Sequence, residues 1–596
     1  YFCYSFLAFY AAHITCNEIL KPHIVVIVGD DIGWNDISLH GSNQIQTPNI
    51  DMIGYQGVIF QDYYTDCLGT SSRSALLTGK YAMRMGTQGP SIEVAEDRGI
   101  PLTERLLPSY LKDLGYATHL VGKWHLGKSR KCYLPTMRGF DSFTGFTHSS
   151  VDYLTFNFVE TFNETEYFGL DFYHDLEPDR RQHGQHLTDV LRRAFSGTLE
   201  DHNTSTPLFL LVSHAAAHIG GGQVNLQASY EDLIANSHIA HSARRLFAGL
   251  VTGVDNSVGK ILAALAKNEN MLNNTMMIFM SDNGADSIGS TRNYGSNLPL
   301  RGTKGTPWEG AVRSTAVLWH AGITPKMFNG VVHVTDWLPT LIAAAGGNEI
   351  GDLDGKNQWK YIVNDEESIK DRDLIITVDD INKWGAYRSA DFKIIIGSVP
   401  STCGYYGHDL NKLIYDAPDY KDKLVESETF RVFTEYLEIG LDFDYALEKR
   451  DICNLNNDFK TPLNVIITFS VKGCLFNIRE DPEELHDLWD ELPDIVQQMS
   501  VQFRMCWSGV RPRSQASFDP RADPKLFHYT WHPWLECDAE PPAPITSKPE
   551  YPMQMSLAEI NYFVSLNLEI FQAKLSNYTK SMAEAFVDSV GSLFKQ

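Results

Sequence analysis

Four short apolar runs, each followed directly by polar or ionisable residues, constrain the fold of this chain most strongly. They are residues 23–28, 117–121, 208–212 and 275–280. Continuous apolar, β-branched runs are typical of strands buried on both faces of a parallel sheet. Helical patterns lie between them, among them 103–114 and 243–266. This alternation predicts an α/β fold of the doubly wound type, with a mainly parallel central sheet.

The residues that follow these runs indicate a binding site. Ligands of open α/β sheets bind beyond the carboxyl ends of the strands. The polar residues there are Asp30, Asp31, Lys123, His125, His214, His218, Asp282 and Asn283. The carboxylate and amide oxygens among them suit a hard cation such as Ca²⁺ and not Zn²⁺. Asp-Asp and Asp-Asn-Gly are also common in turns, so a purely structural role is the alternative interpretation.

The second half of the chain changes in character. Strand patterns at 373–378, 392–396 and 465–469 predict a smaller domain with an antiparallel sheet. We therefore divide the chain into a large α/β domain at 21–370, a smaller domain at 371–540, and a Pro-rich linker with an amphipathic helical tail at 541–596. We expect the 556–594 tail to pack on a neighbouring domain or a second subunit, and not to anchor the protein in a membrane.

Several features predict the secretory pathway. Residues 1–20 are apolar and aromatic, and we expect a signal peptide whose initiating Met lies outside this sequence. No later run is long enough to span a bilayer. Asn-x-Ser/Thr sites occur at Asn163, Asn203, Asn273 and Asn577. Beyond residue 20 there are seven cysteines, an odd number that permits at most three intrachain disulfides of unknown connectivity.

Net charge limits the partners. The formal charge of −24 argues against nucleic acid, so an anionic ligand requires a local cationic pocket.

A motif at residues 64–81 indicates the family. It runs from Gly69 through Arg73 to Thr78-Gly79-Lys80-Tyr81 and resembles the type I sulfatase signature, Cys-x-Pro-Ser-Arg followed by a short helix and Thr-Gly-Arg/Lys-Tyr. Further matches are 121–127 (VGKWHLG), 299–304 (PLRGTK), 335–340 (TDWLPT) and 481–488 (DPEELHDL). The resemblance extends over about 22–536, and within the family it is greatest to the arylsulfatase B type.

The resemblance implies a two-domain sulfatase fold, a Ca²⁺ site and a sulfated carbohydrate as ligand. Its implied metal ligands are Asp30, Asp31, Asp282 and Asn283. The implied sulfate pocket comprises Arg73, Lys123, His125, His218 and Lys304. His218 is preferred to His214 from its spacing after the preceding strand. The implied location is extracellular or lysosomal.

Gly69 departs from the family pattern, because the family oxidises a Cys at this position to formylglycine, the catalytic nucleophile. Glycine has no side chain to oxidise, which predicts a catalytically impaired protein that still binds Ca²⁺ and sulfate esters. Three alternatives remain. In the first, the glycine letter at position 69 stands for a formylglycine, and the protein is an active sulfuric ester hydrolase. In the second, Cys67 is modified instead. In the third, Thr70 or Ser71 is the nucleophile, and with Thr70 the protein is a phosphoesterase.

Overall fold

The computed structural model describes residues 21–222, 224–289, 291–364, 372–397, 399, 415–455, 473–513 and 518–538. The expected signal peptide, the strand at 465–469, the linker, the tail with its expected subunit contact, and Asn577 all lie outside the described residues.

The strands are β1 (His23–Gly29), β2 (Val58–Tyr64), β3 (Ala117–Lys123), β4 (Ser142–Phe146), β5 (Asn157–Phe162), β6 (Thr165–Leu170), β7 (Tyr173–His174), β8 (Glu177–Pro178), β9 (Leu208–Ser213), β10 (Thr275–Ser281), β11 (Ala316–Trp319), β12 (Lys326–His333), β13 (Asp373–Asp379), β14 (Trp384–Ser389), β15 (Phe392–Gly397) and β16 (Gly473–Asn477).

The α-helices are α1 (Pro48–Tyr55), α2 (Gly69–Thr78), α3 (Ala82–Met85), α4 (Leu107–Asp113), α5 (Leu187–Asp201), α6 (Tyr230–Ala235), α7 (Ser242–Ala266), α8 (Glu269–Asn273), α9 (Glu309–Val312), α10 (Trp337–Ala344), α11 (Trp359–Val363), α12 (Tyr420–Glu426), α13 (Glu428–Tyr436), α14 (Phe443–Cys453) and α15 (Pro493–Trp507).

The central sheet has the order β12-β2-β11-β10-β1-β9-β3-β4-β7-β8. Strands β10, β1, β9, β3 and β4 are parallel neighbours, whereas β11 runs antiparallel between β10 and β2. The four apolar runs of the sequence lie in β1, β3, β9 and β10, so the predicted α/β fold is confirmed. The carboxyl ends of five parallel strands meet at one edge of this sheet.

Helices cover both faces of the central sheet. One core contains residues of α1, α5 and α7, and the opposite core contains residues of α2, α4 and α10. Helix α7 follows the predicted span closely. Helix α4 begins later than predicted, and Pro108 lies in its first turn, where a missing N–H removes no helical hydrogen bond.

A second, antiparallel sheet has the order β13-β14-β15-β16. One of its faces packs on α15, where the Tyr387 and Phe503 rings lie 6.0 Å apart. Its other face packs on the large domain, where Phe476 lies 5.8 Å from Trp308. Helices α12, α13 and α14 do not pack on this sheet. They lie beside α1 and α7 of the large domain, where Phe433 lies 5.1 Å from Trp319.

One disulfide joins distant parts of the chain. Cys132 pairs with Cys537, and their Cα atoms are 5.8 Å apart. Within the described residues, Cys67, Cys453, Cys474 and Cys506 are unpaired. Among those same residues, the structure has no helix that is both long and apolar enough to cross a bilayer.

Candidate active site

The polar residues predicted from the strand ends converge at the carboxyl edge of the central sheet. Asp30 and Asp31 follow β1, and Asp282 follows β10. Ligand oxygens of these three buried carboxylates all lie within 4.8 Å of one another. Asp31 has a positive φ of 56°, a left-handed conformation that Asp tolerates better than most residues. The loop after β1 therefore turns sharply and directs both carboxylates to the same point.

Asn283 completes the oxygen-rich cluster. Its amide nitrogen donates to Oδ1 of Asp31 over 2.7 Å, while its Oδ1 is buried and accepts no hydrogen bond from any residue that the structure describes. Oδ1 of Asp30 is likewise buried without a hydrogen-bond partner in the described part of the chain. Buried oxygens without donors are costly unless another group satisfies them. An oxygen-only donor set of this kind fits a hard divalent cation.

Three cations face the three carboxylates. Lys123 Nζ donates to Oδ2 of Asp30 over 2.6 Å, and Lys304 Nζ donates to Oδ2 of Asp31 over 2.7 Å. Arg73 Nε donates to Oδ2 of Asp282 over 3.0 Å. A second nitrogen of the same guanidinium donates to the Ser213 hydroxyl at the end of β9. The predicted metal ligands and the predicted sulfate-binding cations are therefore in direct contact.

Burial and these ion pairs shift the pKa values of the two neighbouring aspartates, Asp30 and Asp31, in opposite directions. Burial raises the pKa of Asp30 to about 7, although Lys123 acts against this. Burial also favours a higher pKa for Asp31, but Lys304 and His218 outweigh it and lower the pKa to about 2. Burial lowers the pKa of Lys123, and Asp30 acts against that shift. Asp31 is thus the more strongly stabilised anion of the pair.

Gly69, at the nucleophile position, is the first residue of α2. A Cβ placed on Gly69 would lie 2.6 Å from Oδ2 of Asp282 and 3.5 Å from Oδ1 of Asn283. Any side chain at this position would therefore project into the carboxylate cluster. Its φ lies outside the left-handed range, so the backbone does not require glycine here.

The hydroxyl and thiol groups near Gly69 differ in their surroundings. Cys67 Sγ lies 3.2 Å from the Thr377 hydroxyl, and burial raises the pKa of the thiol far above its usual range. Ser71 donates to the carbonyl oxygen of Thr87 over 2.8 Å. Thr70 Oγ1 lies 3.1 Å from Nε2 and 3.3 Å from Nδ1 of His125. Of the two hydroxyl candidates, Thr70 is the one in contact with a potential base, the His125 imidazole.

His125 follows β3 and has a positive φ of 56°. Its Nε2 lies 3.1 Å from the carbonyl oxygen of Ile92, so Nε2 carries the proton and Nδ1 is the acceptor. Burial and then Lys123 lower the pKa of His125 well below its ordinary value, so the ring is neutral.

The structure places His218, and not His214, beside the acidic cluster. His218 Nδ1 donates to the Ile219 carbonyl over 2.8 Å, and its Nε2 lies 3.7 Å from Oδ2 of Asp31. Burial and then Lys304 lower the pKa of His218 to about 3. His214 is fully buried, and burial lowers its pKa to about 4. All ten predicted site residues therefore gather at one edge of the sheet.

Sequence reasoning missed several residues of this site. Asn293 donates to the carbonyl oxygen of Asp31 over 2.9 Å, and Tyr153 donates to the carbonyl oxygen of His218 over 2.9 Å. His148 follows β4 and lies 5.6 Å from the His125 ring. The sequence could have indicated His148 by its position shortly after a strand, β4. That strand was not recognised, because it is not a continuous apolar run.

Comparison with known proteins agrees with this geometry. Residues 22–347 match the family model described as Sulfatase. Arylsulfatase J of Mus musculus is 32% identical over 524 residues, covering 87% of this chain and 81% of that protein. N-acetylgalactosamine-6-sulfatase of Rattus norvegicus is 32% identical over 339 residues, covering 54% of this chain and 62% of that protein.

The fold also matches a solved structure, that of Ps i-CgsB in complex with k-i-k-neocarrahexaose. The TM-score is 0.62 at 24% identity, covering 85% of this chain and 97% of that one. The greater closeness to the arylsulfatase B type stays a prediction. The family model and the relatives together establish that this chain belongs to the sulfatase family.

Proposed function

We propose that this protein binds Ca²⁺ and the sulfate ester of a sulfated carbohydrate, and that its catalysis is impaired at Gly69. Asp30, Asp31, Asp282 and Asn283 would hold the ion, which would supply positive charge beside the ester oxygens. The ester itself would be surrounded by the cations and imidazoles, namely Arg73, Lys123, His125, His218 and Lys304.

The orientation of Gly69 carries this proposal. A Cβ on Gly69 would lie 2.6 Å from Oδ2 of Asp282, so the backbone directs this position into the carboxylate cluster. A formylglycine here would stand beside the proposed ion and the ester. Glycine offers no nucleophile, so the covalent route that divides one difficult step into two is lost. Charge stabilisation by the pocket remains, and we expect binding without rapid turnover.

Two buried oxygens support the Ca²⁺ assignment. Oδ1 of Asp30 and Oδ1 of Asn283 accept no hydrogen bond from the described residues. A hard cation would satisfy both, together with the remaining carboxylate oxygens of the cluster.

An active sulfuric ester hydrolase is the first alternative, and it requires a formylglycine at position 69. A phosphoesterase that uses Thr70 is the second. The contact of 3.3 Å between Thr70 Oγ1 and Nδ1 of His125, the ring nitrogen that accepts, favours it over a role for Ser71, and the raised pKa of the buried Cys67 thiol argues against Cys67. The low pKa of His125 argues against it, because a weak base activates a hydroxyl poorly.

We also propose that the protein passes through the secretory pathway to the cell exterior or a lysosome. The Cys132–Cys537 disulfide supports an oxidising compartment. Asn163 lies at the exposed turn between β5 and β6, and Asn203 and Asn273 are exposed as well, so all three sites within the described residues are accessible.

The mass of a peptide that contains residue 69 tests the proposal directly. We expect glycine, together with measurable binding of N-acetylgalactosamine 4-sulfate or 6-sulfate and negligible hydrolysis of an aryl sulfate. Lys123→Ala should weaken that binding, because an anion pocket loses a charged partner. An aldehyde at position 69 with rapid turnover would establish the hydrolase alternative. Phosphoester hydrolysis that is lost in Thr70→Val would establish the phosphoesterase.

A further inference from the structure

His148 occupies a position that the protein fixes firmly. It lies just beyond β4, at the same edge of the sheet as the acidic cluster. Oδ2 of Asp171 accepts the backbone N–H of Thr147 over 3.1 Å and that of His148 over 2.8 Å. Oδ1 of Asp171 accepts the Thr147 hydroxyl over 2.6 Å and Lys128 Nζ over 2.8 Å. The buried Asp171 carboxylate, with its four donors, thus fixes the backbone from which the His148 side chain extends.

Aromatic neighbours then orient the imidazole ring. The His148 ring lies 4.2 Å from Phe158 of β5, edge to face, and 5.6 Å from the His125 ring. His125 belongs to the proposed sulfate pocket, so this contact places the His148 ring beside that pocket.

Nε2 of this ring has no hydrogen-bond partner among the described residues. His148 is 2% exposed, and its Nε2 is buried without a hydrogen bond to any described residue. A buried polar group is costly when it is left unsatisfied, so a ligand that satisfies this nitrogen is favoured. Burial, followed by Lys128 and Lys123, holds the pKa of His148 well below its ordinary value. The ring is therefore neutral and carries one N–H donor and one acceptor.

We propose that His148 is a specificity residue that hydrogen-bonds a hydroxyl of the sugar ring bearing the sulfate ester. This inference rests on the proposed function. The charged sulfate already has cationic partners in Arg73, Lys123 and Lys304, and a neutral imidazole adds little to them. A sugar hydroxyl both donates and accepts, so it matches either ring nitrogen. The Phe158 ring beside it offers an apolar wall for the C–H face of a sugar.

Isothermal titration of the full chain in the presence of Ca²⁺ tests this role with two probes, N-acetylgalactosamine 4-sulfate and inorganic sulfate. His148→Phe keeps the ring packing but removes the hydrogen bond. We expect it to weaken binding of the sugar sulfate about tenfold and to leave the Kd for inorganic sulfate unchanged. His148→Gln keeps a hydrogen-bonding group and should restore most of the lost affinity. His174→Gln, at an exposed histidine, is the matched control and should change neither Kd.

The outcomes separate this inference from the proposed function. If wild-type protein binds neither probe, both are overturned. If it binds both, and His148→Phe changes neither affinity or weakens both equally, the specificity role is overturned while the sulfate pocket stands. Melting temperatures establish that each variant folds, and His148→Ala replaces His148→Phe if the larger ring prevents folding.

Discussion

Lys123 and Asp30 form a buried ion pair in which Nζ lies 2.6 Å from Oδ2. The same relation holds between Lys304 and Asp31, at 2.7 Å, and between an Arg73 nitrogen and Asp282, at 2.9 Å. Each cation of the proposed sulfate pocket is thus neutralised by a carboxylate of the proposed metal site. The attraction of this pocket for an anion should therefore depend on a cation that engages the carboxylates.

Metal removal should weaken binding of the sulfated sugar. With Ca²⁺ present, the carboxylates have a divalent partner and the three cations are available to the ester. We expect the Kd for N-acetylgalactosamine 4-sulfate to rise at least tenfold in chelator, as measured by isothermal titration. By reciprocity, the sugar sulfate should tighten Ca²⁺ binding by the same factor. Equal affinities with and without Ca²⁺ would contradict this coupling.

Gly69→Ala should be tolerated better with Ca²⁺ than without it. The new methyl group would lie 2.6 Å from Oδ2 of Asp282, so that carboxylate has to shift away from residue 69, which disturbs its hydrogen bond from Arg73. We expect a loss of about 1–3 kcal/mol in the free energy of unfolding in chelator, the usual range for overpacking. A bound ion that draws Asp282 toward itself should reduce this loss. Urea unfolding with Ca²⁺ and with chelator measures both values, and an equal loss in the two conditions would show that Asp282 does not respond to the ion.

The double change Gly69→Cys and Ser71→Pro should restore sulfatase activity when the protein is produced with a formylglycine-generating enzyme. Proline at position 71 removes no helical hydrogen bond, because the first one of α2 runs from Ser72 N to the Leu68 carbonyl. It does remove the bond from the Ser71 hydroxyl to Thr87, at a cost of about 1 kcal/mol. Hydrolysis of an aryl sulfate should rise from near zero, whereas Gly69→Ser with Ser71→Pro should stay inactive. An inactive protein with an aldehyde confirmed at position 69 would mean that the pocket no longer supports catalysis.

The sequence predicted four strands of the central sheet, β1, β3, β9 and β10, because strands buried on both faces require continuous apolar runs. Among the strands that it missed is β4, whose composition reflects close packing. A Cβ on Gly145 would lie 1.9 Å from the carbonyl oxygen of Gly122 in β3, so glycine is needed there and interrupts the apolar pattern. His148 was missed with that strand.

The site residues were predictable because short contiguous motifs carry them, but their pairing was not. The contact of Lys123 with Asp30 joins residues 93 positions apart in the sequence. Nothing in the sequence indicated which cation faces which carboxylate. The same holds for α12 to α14, whose apolar residues gave no sign that they pack on α7 and not on the smaller sheet.

Removal of the Cys132–Cys537 disulfide should loosen the last described segment of the chain. This bond joins residues 405 positions apart in the sequence, and Trp531 of the same segment lies in one apolar cluster with Val94 and Ala95. Cys132→Ser with Cys537→Ser should lower the free energy of unfolding by about 2–5 kcal/mol. Hydrogen exchange should accelerate in 518–538 and not in β1. Cys506→Ser, at an unpaired cysteine, is the control, and unchanged exchange in the double variant would contradict the role of the disulfide.

The buried His214 should make the protein less stable in acid. Burial lowers its folded pKa to about 4, whereas an unfolded histidine has a pKa of about 6.5. Between these values the unfolded chain binds more protons, so the free energy of unfolding falls as the pH falls, by up to about 1.4 kcal/mol per pH unit. Above pH 6.5 His214 is neutral in both states, so the stability lost in acid is fully present there.

His214→Gln removes the titrating group, so the free energy of unfolding should fall less steeply between pH 6.5 and pH 4. Urea unfolding at several pH values in this range measures the slope, which should be shallower by up to about 1.4 kcal/mol per pH unit even if the variant is less stable overall. His183→Gln is the matched control, because His183 is exposed and should be solvated in both states. Equal slopes for wild type and His214→Gln would contradict this. They would mean that His214 has the same protonation state in the folded and the unfolded protein across this pH range.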